Sequence, residues 1–292
     1  MPLTVAFETK CYERDWQIVA NEGYLRSVIS NCKHSFDYRV LYLNNFADYA
    51  PALQAAEQLV AANVIDEYCV VEEHATAALK AFDITRDSLG SGYHYSIAEL
   101  VGVYRCKTDY LLHFSGDSQM DEGAPNWIDD AIRIMEQRPE VFVANPLVNR
   151  QHRWLARLEA IDEDADWYYS CGFSDQCFLV NAKSMQKKVI YNEKHLASER
   201  FPAYGGELFE KRIDAYMHNH DLQRITSKHA SYIHKNHFPV GPAEWLRNQR
   251  MQKFHHLSVL AKTVASGRFF DGVRDVVDAG KRLYVRGRRE RR

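Results

Sequence analysis

Short apolar runs alternate with amphipathic stretches along the first half of the chain, and each run stops at a polar break. Leu3 to Phe7 predicts a strand close to the N-terminus. From Trp16 to Cys32, the positions Ile18, Leu25, Val28, Ile29 and Cys32 share one helical face. Tyr38 to Leu43 predicts a second strand, closed by Asn44-Asn45. Ala50 to Asn63 is Ala-rich and helical, and Ile65 to Val71 gives a third strand. Ser96 to Cys106 predicts a helix that leads into the apolar run Tyr110 to Phe114. Strands and helices alternating at this spacing form βαβ units, so the fold class is α/β. The sheet is expected to be Rossmann-like and mostly parallel, flanked by helices and built with right-handed crossovers.

Beyond the fourth run the pattern loses its regularity. Trp127 to Gln137 turns Ile128, Ala131, Ile132 and Met135 inward as a helix, and Val141 to Ala144 is another strand. Trp167 to Phe173 is expected to be an aromatic loop, followed by a strand from Gln176 to Val180. Glu207 to His218 predicts a helix opened by Gly205-Gly206, with short closing strands at Gln223 to Thr226 and Ala230 to His234. Helical material resumes at Pro242 and continues to the C-terminus.

Composition narrows the function classes. With 46% hydrophobic residues, the 292-residue chain can bury a large core and is not a disordered protein. No apolar leader follows Met1 and no run is long enough to span a bilayer. The six cysteines contain no Cys-x-x-Cys pair, so free thiols in a reducing, cytoplasmic setting are expected. The net charge of −2 divides unevenly. Residues 268–292 carry nine Arg/Lys and four Asp/Glu, a local +5 that leaves −7 elsewhere. A basic charge confined to one end of an acidic body argues against nucleic-acid binding. In that end Phe269, Phe270, Val273, Val276, Val277, Leu283 and Tyr284 recur at helical spacing among arginines. Such a helix suits the surface of an anionic membrane and predicts a peripheral association at the inner face of the cell membrane.

The chemistry is concentrated where the Tyr110 run ends at Ser115-Gly116-Asp117. In an open α/β sheet, ligands collect beyond the carboxyl ends of the strands. A carboxylate there suits a hard divalent cation, and the cation suits a diphosphate. Further on stand Gly205-Gly206-Glu207 at a helix start, and His234 at the end of the last strand.

In this order the motifs resemble those of GT-A glycosyltransferases, above all the large inverting family two that builds cell-surface polysaccharides. The resemblance covers roughly residues 3 to 238. It implies a GT-A catalytic domain over residues 1–238, with a nucleotide-binding half at about 1–120 and an acceptor half at about 121–238. Residues 239–292 would be a basic helical extension. The implied activity is transfer of a sugar from a nucleotide-sugar donor to a glycan or lipid-linked acceptor, with Mn2+ or Mg2+ as cofactor. Asp117 matches the last Asp of the family's Asp-x-Asp, while Ser115 stands where the first Asp is usual. By resemblance, Asp117 and His234 would hold the metal and Glu207 would be the catalytic base, with Glu210 as its competitor. Phe7, Glu8, Thr9, Asn44, Ser115, Gly116 and Asp117 would line the nucleotide, and Asp175, Gln176 and Trp167 the sugar or acceptor. Asn44 replaces the family's usual Asp, and the family's Arg-Asn before the central helix is absent. A nucleotidyltransferase usually carries a Gly-rich loop after the first strand, and Phe7 to Glu13 contains no Gly. A non-catalytic glycan- or membrane-associated scaffold on a degenerate transferase fold is the alternative that the Ser115 departure keeps open.

Overall fold

The computed structural model describes residues 2–149, 153–201, 206–235 and 237. Its strands are β1 (Val5–Tyr12), β2 (Tyr38–Asn44), β3 (Glu67–Val70), β4 (Tyr110–Phe114), β5 (Ser118–Met120), β6 (Val141–Val148), β7 (Asp162–Glu163), β8 (Trp167–Ser170), β9 (Cys177–Asn181) and β10 (Gln223–His234). The helices of the N-terminal half are α1 (Trp16–Val19), α2 (Glu22–Asn31), α3 (Ala50–Ala61), α4 (Val71–Phe82) and α5 (Tyr93–Arg105). Those of the C-terminal half are α6 (Ile128–Gln137), α7 (Arg153–Glu159), α8 (Ala182–Met185) and α9 (Phe209–Asn219).

All ten strands join one sheet, in the order β3-β2-β1-β4-β9-β6-β10-β8-β7, with β5 paired to β10. From β3 to β4 the strands are parallel; β9 reverses, and β6 and β10 resume the first direction. The fold is therefore α/β with a central, mostly parallel sheet flanked by helices. The chain steps from β1 outward to β2 and β3, then returns to place β4 on the other side of β1. That reversal opens a crevice between the carboxyl ends of β1 and β4, the usual position of ligand sites in such sheets.

Period-two alternation along β1 explains the two layers. Val5, Phe7 and Cys11 face the core beneath α2, α3 and α6, with Leu25, Ala56, Leu59 and Met135 as neighbours in it. Ala6 belongs to the opposite layer, which α4, α5 and α9 close with Ala78, Ile97, Val101, Phe209 and Ile213. Fully burying one such side chain stabilises by about 1.5–3 kcal/mol. On that second face the next two inward positions of β1 are Glu8 and Lys10, which sets up the site described below.

Several boundaries differ from those predicted. β1 runs five residues past Phe7, because Glu8 and Lys10 find buried partners and need not leave the sheet. The predicted helix from Trp16 to Cys32 is two helices, since the Asn21 side chain accepts the Tyr24 N–H and starts a new one. Val71, read as the end of a strand, opens α4, which ends at Asp83 in the left-handed conformation (φ 59°). The two short closing strands are one strand, β10, with its register interrupted between Thr226 and Ser231. The expected aromatic loop contains β8, where aromatic residues pack on the pleated surface. No helix among the described residues is long and apolar enough to cross a membrane. The predicted extension 239–292, with its basic stripe at 268–292, lies outside the described residues.

Candidate functional site

β4 ends at Phe114, and the loop that follows is held from three sides. The Ser115 N–H donates to the Gln176 carbonyl at 2.8 Å, next to the start of β9. The Tyr24 hydroxyl donates to the Gly116 carbonyl at 2.9 Å, from α2. A Cβ on Gly116 would stand 2.3 Å from the Lys10 carbonyl oxygen of β1, so only glycine permits this approach. The loop is thereby pressed into the β1/β4 crevice.

Asp117 is the residue this clamping presents. Its Oδ2 lies 2.8 Å from Nε2 of His234, at the end of β10, and its Oδ1 accepts the Ser115 hydroxyl at 3.0 Å. The Lys235 N–H donates to the Asp117 carbonyl at 2.7 Å, which locks the loop to the same strand end. Burial pushes the Asp117 carboxyl up, but His234 and the Ser115 hydroxyl outweigh it and hold the group below the usual carboxylate range. Asp175, just before β9, is shifted the other way: burial raises it against the pull of Lys10, with Asp117 adding repulsion. Gln176 accepts the Tyr232 hydroxyl at 3.0 Å through its side-chain oxygen.

A second tier lies beneath, between β1, β4 and α5. Lys10 binds Glu99 directly, and Glu99 is fully buried on α5. His113 Nδ1 lies 2.9 Å from Glu8 Oε1, and its Nε2 lies 3.8 Å from Glu99 Oε1. Burial pulls the Lys10 ammonium down, yet Glu99 and Asp175 outweigh it and raise it overall. Burial pushes Glu8 well above the carboxylate range and His113 well below the imidazole range. A partly buried cation thus supports the acidic pair Asp117 and Asp175 from below. The sequence reading missed this tier, although one charge inside the apolar turns Ile97 to Val103, and Glu8 and Lys10 two apart in a strand, were its traces.

Asp15 was also missed. It lies in the loop after β1, and its Oδ1 accepts the Tyr12 N–H at 2.8 Å. Burial raises its carboxyl to about 7, against the hydrogen bond from Tyr12 and with the nearby Asp117 adding to the rise. The ordinary value is 3.8, so between the two values the folded chain holds a proton that the unfolded chain has lost. Stability from this group accordingly falls as pH rises through that window and stays lower above about pH 7. Asp15→Asn keeps an acceptor for Tyr12 and removes the charge. Its gain in melting temperature over wild type should grow between about pH 5 and about pH 8, measured by calorimetry; a gain independent of pH would refute the assignment.

The other predicted residues fall in three places. Asn44 ends β2, donating to the His94 carbonyl at 2.8 Å, while its Oδ1 is buried without a partner. Glu207 is fixed near the N-terminus of α5: its N–H donates to the Ser88 carbonyl at 2.8 Å, and Gly206 packs on Leu89. Its carboxylate faces Lys211 at 3.3 Å and Lys194 at 3.8 Å. Among the described residues no hydrogen bond or ion pair joins Glu207 to Asp117, Asp175 or His234. Phe7 does not reach the crevice. Its ring is 0% exposed and packs near Phe36 and Phe114, because β1 continues to Tyr12 and carries residue 7 into mid-strand. Glu8 and Thr9 are buried mid-strand for the same reason, so Lys10 and Asp15 occupy the edge expected for them. Trp167 is 4% exposed in the core on β8, with no open ring face for a sugar.

Among the described residues, no group of three or more His, Cys, Asp and Glu is placed to hold a metal ion alone. The fit of a divalent cation therefore turns on two ligands. Asp117 Oδ2 and His234 Nε2 stand 2.8 Å apart as a hydrogen-bonded pair, and a carboxylate and an imidazole are both groups that ligate divalent cations. Such an ion is commonly held by one or two protein groups, with phosphate oxygens and water completing its shell. The donor set fits that case.

No family model matches the chain, and no curated protein matches it. Among solved structures it is similar to GalNAc-T7 with UDP, GalNAc and Mn2+, at 11% identity and TM-score 0.46, over 80% of this chain. The chain spans 44% of that protein's length. Mouse xyloside xylosyltransferase 1 shows 13% identity and TM-score 0.40, over 75% of this chain and 82% of its own. Mannosyl-3-phosphoglycerate synthase from Rubrobacter xylanophilus shows 12% identity and TM-score 0.39, over 91% and 76%.

Proposed function

We propose that the chain is a GT-A type glycosyltransferase, transferring a sugar from a nucleoside-diphosphate-sugar donor to a hydroxyl of a glycan or lipid-linked acceptor. The observation that carries this reading is the Asp117–His234 pair set beside Asp175 in the β1/β4 crevice. Asp117 and His234 would hold a Mn2+ or Mg2+ ion, whose chemistry is to neutralise charge developing on the departing diphosphate. Asn44, with its unpartnered buried oxygen, is suited to accept an N–H from the nucleotide base. Asp175 and the amide nitrogen of Gln176 would hold sugar hydroxyls. Glu207 would take the proton of the acceptor hydroxyl as its oxygen bonds to the anomeric carbon. The bond from that carbon to the diphosphate breaks, and the diphosphate leaves with the electron pair. Direct attack of this kind inverts the anomeric centre. A role in cell-surface polysaccharide synthesis, with the basic C-terminal region on an anionic membrane, completes the proposal.

The test is thermal shift against UDP-, GDP- and dTDP-sugars, with and without Mn2+, coupled to detection of released nucleoside diphosphate. One nucleotide class should raise the melting temperature in Mn2+ and be turned over slowly. A melting temperature unmoved by every donor would overturn the reading.

A further inference from the structure

A cavity of about 690 Å3 opens at the opposite edge of the sheet, where the amino ends of β1, β2 and β4 meet the last turn of α5. Thr4, Asp37, Tyr38 and Thr108 mark that edge in its lining. The volume falls in the range of about 300–1,000 Å3 typical of small-molecule sites. Its existence follows from residue size. Ala6 on β1 is too small to fill the gap, and Gly102 on α5, lacking a Cβ, lets the Glu8 carboxyl lie against the helix. Val40, Tyr42 and Leu111 provide apolar walls.

Glu8 also lines this cavity, although it is only 2% exposed. One of its oxygens is engaged by His113 Nδ1. The other has no hydrogen bond among the described residues and lies 2.4 Å from where a Gly102 Cβ would be. Of the other charged groups in the lining, Glu67 pairs with Arg105 at 2.5 Å and Asp37 accepts the Val5 N–H at 2.8 Å, while His74 and Lys107 complete the set. A chamber with an apolar wall on β1, β2 and β4, and one buried carboxyl oxygen without a partner, suits a ligand with an apolar body and one cationic donor, whose charge would hold Glu8 ionised against the effect of burial.

We propose that this cavity is a binding site for a small organic amine, with its ammonium group on the free oxygen of Glu8 and its apolar body against Val40, Tyr42 and Leu111. The site is separate from the β1/β4 crevice and does not depend on the proposed transferase activity. Glu8 nevertheless joins the two regions, because His113, Glu99 and Lys10 continue from it towards Asp117 and Asp175.

The probes are benzylamine and its neutral isostere benzyl alcohol, titrated by calorimetry and ligand-observed NMR into the full chain. Benzylamine should bind at least about tenfold more tightly than the alcohol, a difference of about 1.4 kcal/mol. Binding should be lost in Glu8→Gln and in Val40→Phe, which fills the chamber, and should persist in Asp117→Asn. Equal affinity for both probes, or no binding of benzylamine by wild type, overturns the proposal without any variant. Loss in Asp117→Asn with retention in Val40→Phe would place the amine in the acidic crevice and overturn it as well.

Discussion

Asp117→Asn should remove Mn2+-dependent donor binding while leaving the fold intact. Asparagine keeps the shape of the side chain and can still accept the Ser115 hydroxyl, so the loop retains that hydrogen bond. It cannot offer an anionic oxygen to a cation beside His234. No other carboxylate lies in the Ser115-Gly116-Asp117 triplet to take its place. Changing even an outer-shell partner of a metal commonly costs about 10–100-fold in affinity, so loss of a direct ligand should reach about 100-fold or more. Calorimetric titration of nucleoside diphosphate in Mn2+ measures this, with an unchanged melting temperature in metal-free buffer as the control for folding. Equal affinity in wild type and variant would remove Asp117 from the metal.

Turnover is where Glu207→Gln should act. A positioned general base contributes about 10²–10⁴-fold, and that loss should appear in kcat while donor affinity is retained. The substitution preserves the backbone bond to Ser88 and exchanges the contacts with Lys211 and Lys194 for weaker ones. Any structural effect should therefore be small beside the kinetic one. Glu210→Gln is the comparison, because α9 begins at Phe209 and places Glu210, not Glu207, in its first turn. Should Glu210→Gln abolish turnover and Glu207→Gln leave it near wild type, the base is Glu210 in the first turn of α9.

The strands were legible wherever apolar residues ran unbroken, as in Tyr110 to Phe114, whose predicted and observed limits coincide. Legibility failed where a charge was satisfied by a residue far away in the chain. Glu8 and Lys10 read as the end of a strand because their partners, His113 and Glu99, lie about ninety to a hundred positions further on. The same distance hid the tier beneath the crevice. The resemblance assigns Asp117 and His234 to one metal, but their separation of 2.8 Å is a property of the fold alone. Trp167 was misread for the opposite reason: an aromatic cluster looks alike in a binding loop and in a buried strand, and the periodicity of four residues does not distinguish them.

The Lys10–Glu99 pair has a consequence for how this chain can change over generations. Removing one member of a buried ion pair strands the other and typically costs about 3–5 kcal/mol, whereas replacing both by apolar residues of similar volume is often neutral. A substitution at position 10 is thus harmful or tolerated according to what stands at position 99. Drift between the present pair and an uncharged one would have to cross a poorly folding intermediate. The two sites, 89 residues apart in sequence, should behave as one heritable unit, and their co-substitution would be a genetic signature of this architecture in divergent copies of the chain.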